Sequence, residues 1–242
     1  MDSTLLVGLA LGLRHGTDPD HLTAIDGLCR LRPRATNGLY FALGHGSVVT
    51  LLAVGIGEAL AGRAEFLSPW LMIAIGVVTL WKLRKPAAPL PAAKRPLVAQ
   101  PFLLGMILAA GFETASQLSA FALAGQTNPL LLGAAFSTGM VLVDGIDGYL
   151  AASTQNLAAR GGVNAQNASR SLGFLVVVLS FGLGGAKLLG FEWDHYALPL
   201  GLALFVLVIG FRVWARNGAR LVEALPSLSS LRVTELPNQG AL

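Results

Sequence analysis

The chain has 242 residues, 54% of them hydrophobic and 12% charged, with a mean hydropathy of +0.64; soluble domains average about 25% charged residues, so this composition excludes one and describes a polytopic membrane protein. The net charge of +4 sits at the ends of apolar runs without interleaved aromatics, which excludes a nucleic-acid surface. The single cysteine, Cys29, excludes an intramolecular disulfide framework and a cysteine-rich metal cluster.

Apolar runs of about 20 residues, the length that crosses a bilayer as a helix, fall near residues 4–28, 37–60, 68–83, 101–124, 129–152, 171–190 and 196–215. The expected fold is therefore all-α with about seven transmembrane helices. Arg30, Arg32 and Arg34, then Lys82 to Arg95, then Arg160 and Arg170, then Arg212, Arg216 and Arg220 all fall on one side, whereas the opposite loops hold only Arg63. By the positive-inside rule this places the N-terminus outside and the C-terminus in the cytoplasm. The first run leads into charged residues instead of a small-residue cleavage site, so no cleavable signal peptide is expected.

The first span contains Arg14-His15-Gly16-Thr17-Asp18-Pro19-Asp20-His21-Leu22-Thr23-Ala24-Ile25-Asp26. Two imidazoles and three carboxylates at membrane depth are costly unless something compensates them, and a cation is the natural partner. Gly16 and Pro19 predict a broken helix, because proline removes a backbone donor and keeps Asp18 out of the α region. Breaks at membrane depth occur where backbone lines a cavity, which in transporters is commonly the ion site. On an unbroken helix His15, Asp18 and His21 share a face and Asp20 does not; the break is expected to bring Asp20 into the same site.

The second span carries Leu43-Gly44-His45-Gly46-Ser47-Val48-Val49. A lone helical histidine is more often an interior hydrogen-bonded residue, but beside the first motif His45 reads as a ligand. Residues 84–100, rich in Pro and Ala, read as a cytoplasmic linker between halves at about 1–83 and 101–216, and residues 217–242 as a poorly ordered tail. In the second half, Gly111-Phe112-Glu113-Thr114-Ala115-Ser116-Gln117 lies in the fourth span and Gly139-Met140-Val141-Leu142-Val143-Asp144-Gly145-Ile146-Asp147-Gly148 in the fifth. Asp144 and Asp147 share one helical face and can line a polar path together, or pair with Arg14 or Lys187. Phe41-x-x-Gly44 echoes Phe136-x-x-Gly139, and spans one to three and four to six have the arrangement of a 3+3 inverted repeat.

These four segments together resemble the nickel/cobalt transporter family of secondary metal permeases. Its first signature, Arg-His-Ala-x-Asp-Ala-Asp-His-Ile, stands here as Arg14, His15, Asp18, Asp20 and His21; the others align with Leu43 to Val49, Gly111 to Gln117 and Gly139 to Gly148. Residues 8–150 carry the resemblance. It implies uptake of Ni²⁺ or Co²⁺ across the cytoplasmic membrane without ATP hydrolysis, with no prosthetic group and no enzymatic activity. Several positions depart from the pattern: Glu113 replaces Asp, Gln117 replaces Glu, Gly46-Ser47 replaces Ser-Thr and Gly145 replaces Thr. Family members commonly carry one further helix ahead of the first motif, so the chain reads as a short form.

The expected metal site is His15, Asp20, His21 and His45, with Asp18 and Asp26 orienting histidines or balancing charge. Glu113, Thr114, Asp144 and Asp147, together with Asp26, are the expected inward path. Three other functions were weighed. An exporter of the same superfamily often has a histidine-rich cytoplasmic loop, which residues 85–100 lack. A metalloenzyme is disfavoured by four histidines and no His-Glu-x-x-His. A non-transporting membrane subunit would use these polar residues only to staple helices. His195, beside Trp193 in an outer loop, reads as an interfacial belt residue.

Overall fold

Pro19 divides the first apolar run into two helices, as the sequence predicts. In a computed structural model that describes residues 3–54, 58–84, 100–111, 123, 125, 127–191 and 198–217, α1 spans Ser3–His15 and α2 spans Pro19–Leu31. The amides of Thr17 and Asp18 turn back onto the carbonyls of Arg14 and His15 at 3.0 and 2.9 Å. Asp18 is extended, with φ −64° and ψ 146°, as a residue before proline prefers, and Pro19 restarts the helix at a position where its missing N–H costs nothing. Each piece has 13 residues, or about 20 Å, too short to cross the roughly 30 Å hydrocarbon core alone.

The remaining described elements are all helical: α3 (Asn37–Ala53), α4 (Glu58–Arg84), α5 (Pro101–Gly111), α6 (Pro129–Ala159), α7 (Val163–Leu188) and α8 (Leu198–Asn217). Among the described residues, four stretches are long and apolar enough to span a membrane: Phe66–Arg84 in α4, and the whole of α6, α7 and α8. Their outward faces carry exposed Trp70, Val77, Leu142, Ile146, Phe174, Val178 and Val206, a surface suited to lipid. The described residues are thus all-helical, and the chain is a multi-pass membrane protein.

Several elements run longer than the sequence predicts. Helix α4 begins at Glu58 and passes through Pro69, ahead of the apolar run at 68–83. Helix α6 extends past residue 152 to Ala159, and α7 begins at Val163 instead of 171. The polar stretches on either side of Gly161, which takes φ +90° in the turn, continue as helix beyond the apolar lengths. The linker 85–99, half of the fourth span and the tail from residue 218 lie outside the described residues.

Helix α2 is the axis of the bundle. All of its residues from Pro19 to Leu31 are buried, and it packs against α3, α4, α6 and α7. Ile25, Leu28 and Cys29 join Met72, Ile75, Leu104, Leu108 and Val176 in the main core. Two close crossings flank this axis. In one, a Cβ on Gly12 would overlap the carbonyl of Phe136, and a Cβ on Gly139 would overlap that of Leu9. In the other, a Cβ on Gly105 would overlap the carbonyl of Phe41, and one on Gly44 that of Phe102. Each crossing sets two Xaa-x-x-Gly segments backbone to backbone, the approach that small residues allow in membranes.

Candidate metal site

The interruption between α1 and α2 turns two histidines toward one point. His15 ends α1, His21 lies in the first turn of α2, and His45 comes from the middle of α3. All three are fully buried, and one ring nitrogen from each lies within 4.8 Å of the others. Their ring centroids are 4.5 to 4.8 Å apart. Phe136 packs on His15 at 5.3 Å and Phe41 on His21 at 5.0 Å, so one member of each glycine crossing walls the cluster.

Carboxylates hold two of the rings. His15 Nδ1 lies 3.0 Å from Asp18 Oδ2, and His21 Nδ1 lies 3.0 Å from Asp144 Oδ2. A ring that donates Nδ1–H to a carboxylate presents its Nε2 lone pair, the arrangement that orients histidines at metals. His15 Nε2 and His45 Nε2 stand 2.9 Å apart. Two imidazole nitrogens bound to one ion at a right angle, with bonds of about 2.0–2.1 Å, would be about 2.9 Å apart.

Several polar atoms around the cluster are buried without a hydrogen-bond partner among the described residues: His21 Nε2, His45 Nδ1, both oxygens of Asp20, and one oxygen each of Asp18 and Asp144. Buried polar groups are nearly always satisfied, so this donor-rich centre fits a cation. Asp18 also lies 3.6 Å from Arg14 Nη2, which resolves the partner of Arg14 in favour of Asp18 over Asp144.

The structure therefore brings together His15, Asp18, His21 and His45 from the expected set. Asp144 joins them, expected on the path but placed on His21. Asp20 is buried beside them and interacts electrostatically with His21, Asp18 and His15, yet its oxygens stand outside the histidine cluster. Asp26 touches no histidine among the described residues; its oxygens pair with Arg30 Nε at 2.5 Å and Arg212 Nη2 at 3.3 Å. The reason is helical register, because Asp26 lies five residues beyond His21, or about 7–8 Å along α2. Asp147 is also held by Arg212, which bonds both its carboxylate and, at 2.9 Å, its carbonyl. Glu113, Thr114 and His195 lie outside the described residues.

Arg212 was read from sequence as a cytoplasmic marker at the end of a span. It is instead wholly buried, the centre of a second cluster with Asp26, Asp147 and Arg30. One signal for this was visible: Arg212 interrupts an apolar run between Phe211 and Val213-Trp214, and an arginine inside a span calls for a carboxylate partner.

Comparison with known proteins points the same way. Residues 3–65 match a family model described as the NicO high-affinity nickel-transport protein. The chain is 27% identical to the high-affinity nickel transport protein of Cupriavidus necator, over 81% of this chain and 72% of that protein. It is 29% identical to the hydrogenase nickel incorporation protein HupN of Bradyrhizobium diazoefficiens, over 83% and 67% of the two chains. It is also 29% identical to the nickel transporter NixA of Staphylococcus aureus, over 63% and 62%. No solved structure matches the chain. The first motif lies inside the matched family segment, and the chain is similar to these nickel transport proteins over most of its length.

Proposed function

We propose that the protein is a secondary transporter that carries Ni²⁺, and Co²⁺ through the same donor chemistry, inward across the cytoplasmic membrane. The observation that carries this reading is the convergence of three buried histidines, two with Nδ1 on a carboxylate, around unpartnered donor atoms. His15, His21 and His45 are the metal ligands in this reading. Asp20 supplies a carboxylate to the incoming ion, while Asp18 and Asp144 orient imidazoles. Imidazole and carboxylate suit Ni²⁺ and Co²⁺, and selectivity over Cu²⁺ comes from geometry and supply.

The second cluster extends the route. From His21 to Asp26 and from Asp144 to Asp147, carboxylates succeed one another toward the ends of α2 and α6, near Arg30 and Arg160. In the proposed cycle Arg212 is a tethered cation that closes this route: it occupies Asp26 and Asp147 until α8 withdraws. Glu113 and Thr114 belong to the same path. The outside-to-inside direction follows the membrane potential, about 2.3 kcal/mol per charge per 100 mV and twice that for a divalent ion. Export is disfavoured by the histidine-free loop 85–100.

The architecture proposed for this transport is seven spans, with the N-terminus outside and the C-terminus in the cytoplasm, built as a 3+3 inverted repeat. Exchange of spans one and four, two and five, and three and six turns the α1–α6 crossing at Gly12 and Gly139 into the α5–α3 crossing at Gly105 and Gly44. It also carries the α4–α5 contact into an α7–α2 contact. The register that pairs Gly12 with Gly105 pairs Asp20 with Glu113, which relates the two acidic motifs.

Uptake of labelled Ni²⁺ and Co²⁺ by cells producing the protein, with surface expression quantified, tests this function. Accumulation is expected in wild type and absent in His15→Ala and His21→Ala. Equal accumulation in these strains and in vector controls would overturn the transport reading.

A further inference from the structure

The ends of α2, α4 and α6 and the start of α7 enclose a pocket of about 550 Å³. Arg30, Lys82, Arg84 and Arg170 stand in its wall, with no carboxylate among the lining residues. A concave site lined by charges of one sign focuses the potential and attracts a counter-ion. Arg30 already has its anion in Asp26, but Arg84 and Arg170 make no ion pair among the described residues.

A hydrogen-bond chain fixes a further donor in the wall. Arg30 Nη1 donates to Ser169 Oγ at 3.3 Å and Nη2 to the Ser169 carbonyl at 2.7 Å. Ser169 Oγ in turn donates to Gln155 Oε1 at 3.0 Å. With the amide so oriented, Gln155 Nε2 faces away from Ser169. Gln155 Nε2 is buried and has no hydrogen-bond partner among the described residues. Such a donor is rare in a folded protein, and an oxyanion would satisfy it together with the arginines.

The depth of the pocket indicates the source of that anion. Trp81 is half exposed on α4, with Lys82 Nζ 5.8 Å from its ring centroid; an aromatic beside a lysine at the end of an apolar span marks the headgroup level of a bilayer. Leu83, Ala158 and Ala159 give the pocket an apolar border. We propose that this pocket binds the phosphate headgroup of an anionic phospholipid from the leaflet on the arginine-rich side. Basic pockets between spanning helices on that side suit such headgroups. Through Arg30 and Asp26 the bound lipid braces the cluster that contains Arg212 and Asp147. The inference rests on the membrane placement proposed above and not on which metal is carried.

The test uses the full chain purified in neutral detergent, with lipid retention followed by native mass spectrometry. The probes are phosphatidylglycerol, phosphatidylcholine and inorganic phosphate, and Ni²⁺ binding is measured on the same samples. Wild type is expected to retain phosphatidylglycerol over phosphatidylcholine by at least about tenfold, and Arg84→Gln/Arg170→Gln to lose about tenfold of that retention. Gln155→Glu, of the same shape but without the donor, is expected to lose a similar factor, and both variants to keep wild-type Ni²⁺ affinity. Unchanged phosphatidylglycerol retention in both variants would overturn the proposal. Retention of inorganic phosphate with no preference between the lipids would overturn it too, in favour of a soluble anion. A wild type that retains the anionic lipid but binds no Ni²⁺ would leave this site standing and count against the transport reading.

Discussion

Asp144 on α6 holds His21 on α2 through a 3.0 Å contact at Nδ1, across 123 positions of sequence. This bond sets which face of the imidazole is offered to the centre. Loss of such a partner commonly weakens metal binding 10–100-fold. Asp144→Ala is therefore expected to lower Ni²⁺ affinity by about that factor while the protein remains helical and monodisperse, as read by calorimetry and circular dichroism on purified protein. Asp18→Ala is expected to act in the same way through His15. Wild-type affinity in both variants would separate these carboxylates from metal binding.

Arg212 compensates two buried carboxylates, Asp26 and Asp147. Removing one partner of a buried pair leaves the other charge without compensation, at a cost of about 3–5 kcal/mol. Arg212→Ala is expected to lower thermal stability by that order, and Arg212→Ala/Asp147→Asn to recover part of the loss. The coupling is read from a double-mutant cycle in thermal unfolding. Additive effects would show that the pair contributes nothing as a pair.

The two glycine crossings are expected to respond alike. An added methyl at Gly12 or Gly139, and equally at Gly44 or Gly105, meets a backbone carbonyl of the opposing helix. Overpacking of this kind typically costs about 1–3 kcal/mol. Gly182, which faces open space on α7, is the control: Gly182→Ala is expected to be neutral or stabilising by up to about 1 kcal/mol. Melting curves of the five alanine variants check this, and a large loss at one crossing with none at the other would contradict their equivalence.

Much of the first site was legible because its determinants are local. Gly16 and Pro19 announce the break between α1 and α2, and the spacing of His15, Asp18 and His21 gives ligands and an orienting carboxylate. His45 was legible only as an odd polar residue in an apolar helix beside that motif. The shared long-range partner of Asp26 and Asp147 was not legible, since Arg212 lies 186 and 65 positions away from them. At the end of a predicted span an arginine reads equally well as a topology marker, and only packing of α8 onto α2 and α6 distinguishes the two. The lengths of α6 and α7 were underestimated because hydropathy measures the apolar part of a helix, whereas backbone hydrogen bonding continues through Ser153 to Asn156 and from Val163 onward.

X-ray absorption at the nickel edge of the purified, Ni²⁺-loaded protein reads the ligand shell itself. Multiple-scattering features of about three imidazoles are expected in wild type, with one imidazole fewer in His45→Ala, because the ligand nitrogens of His15, His21 and His45 converge within 4.8 Å. A shell of oxygen ligands alone, or a spectrum identical in wild type and His45→Ala, would contradict this ligand set.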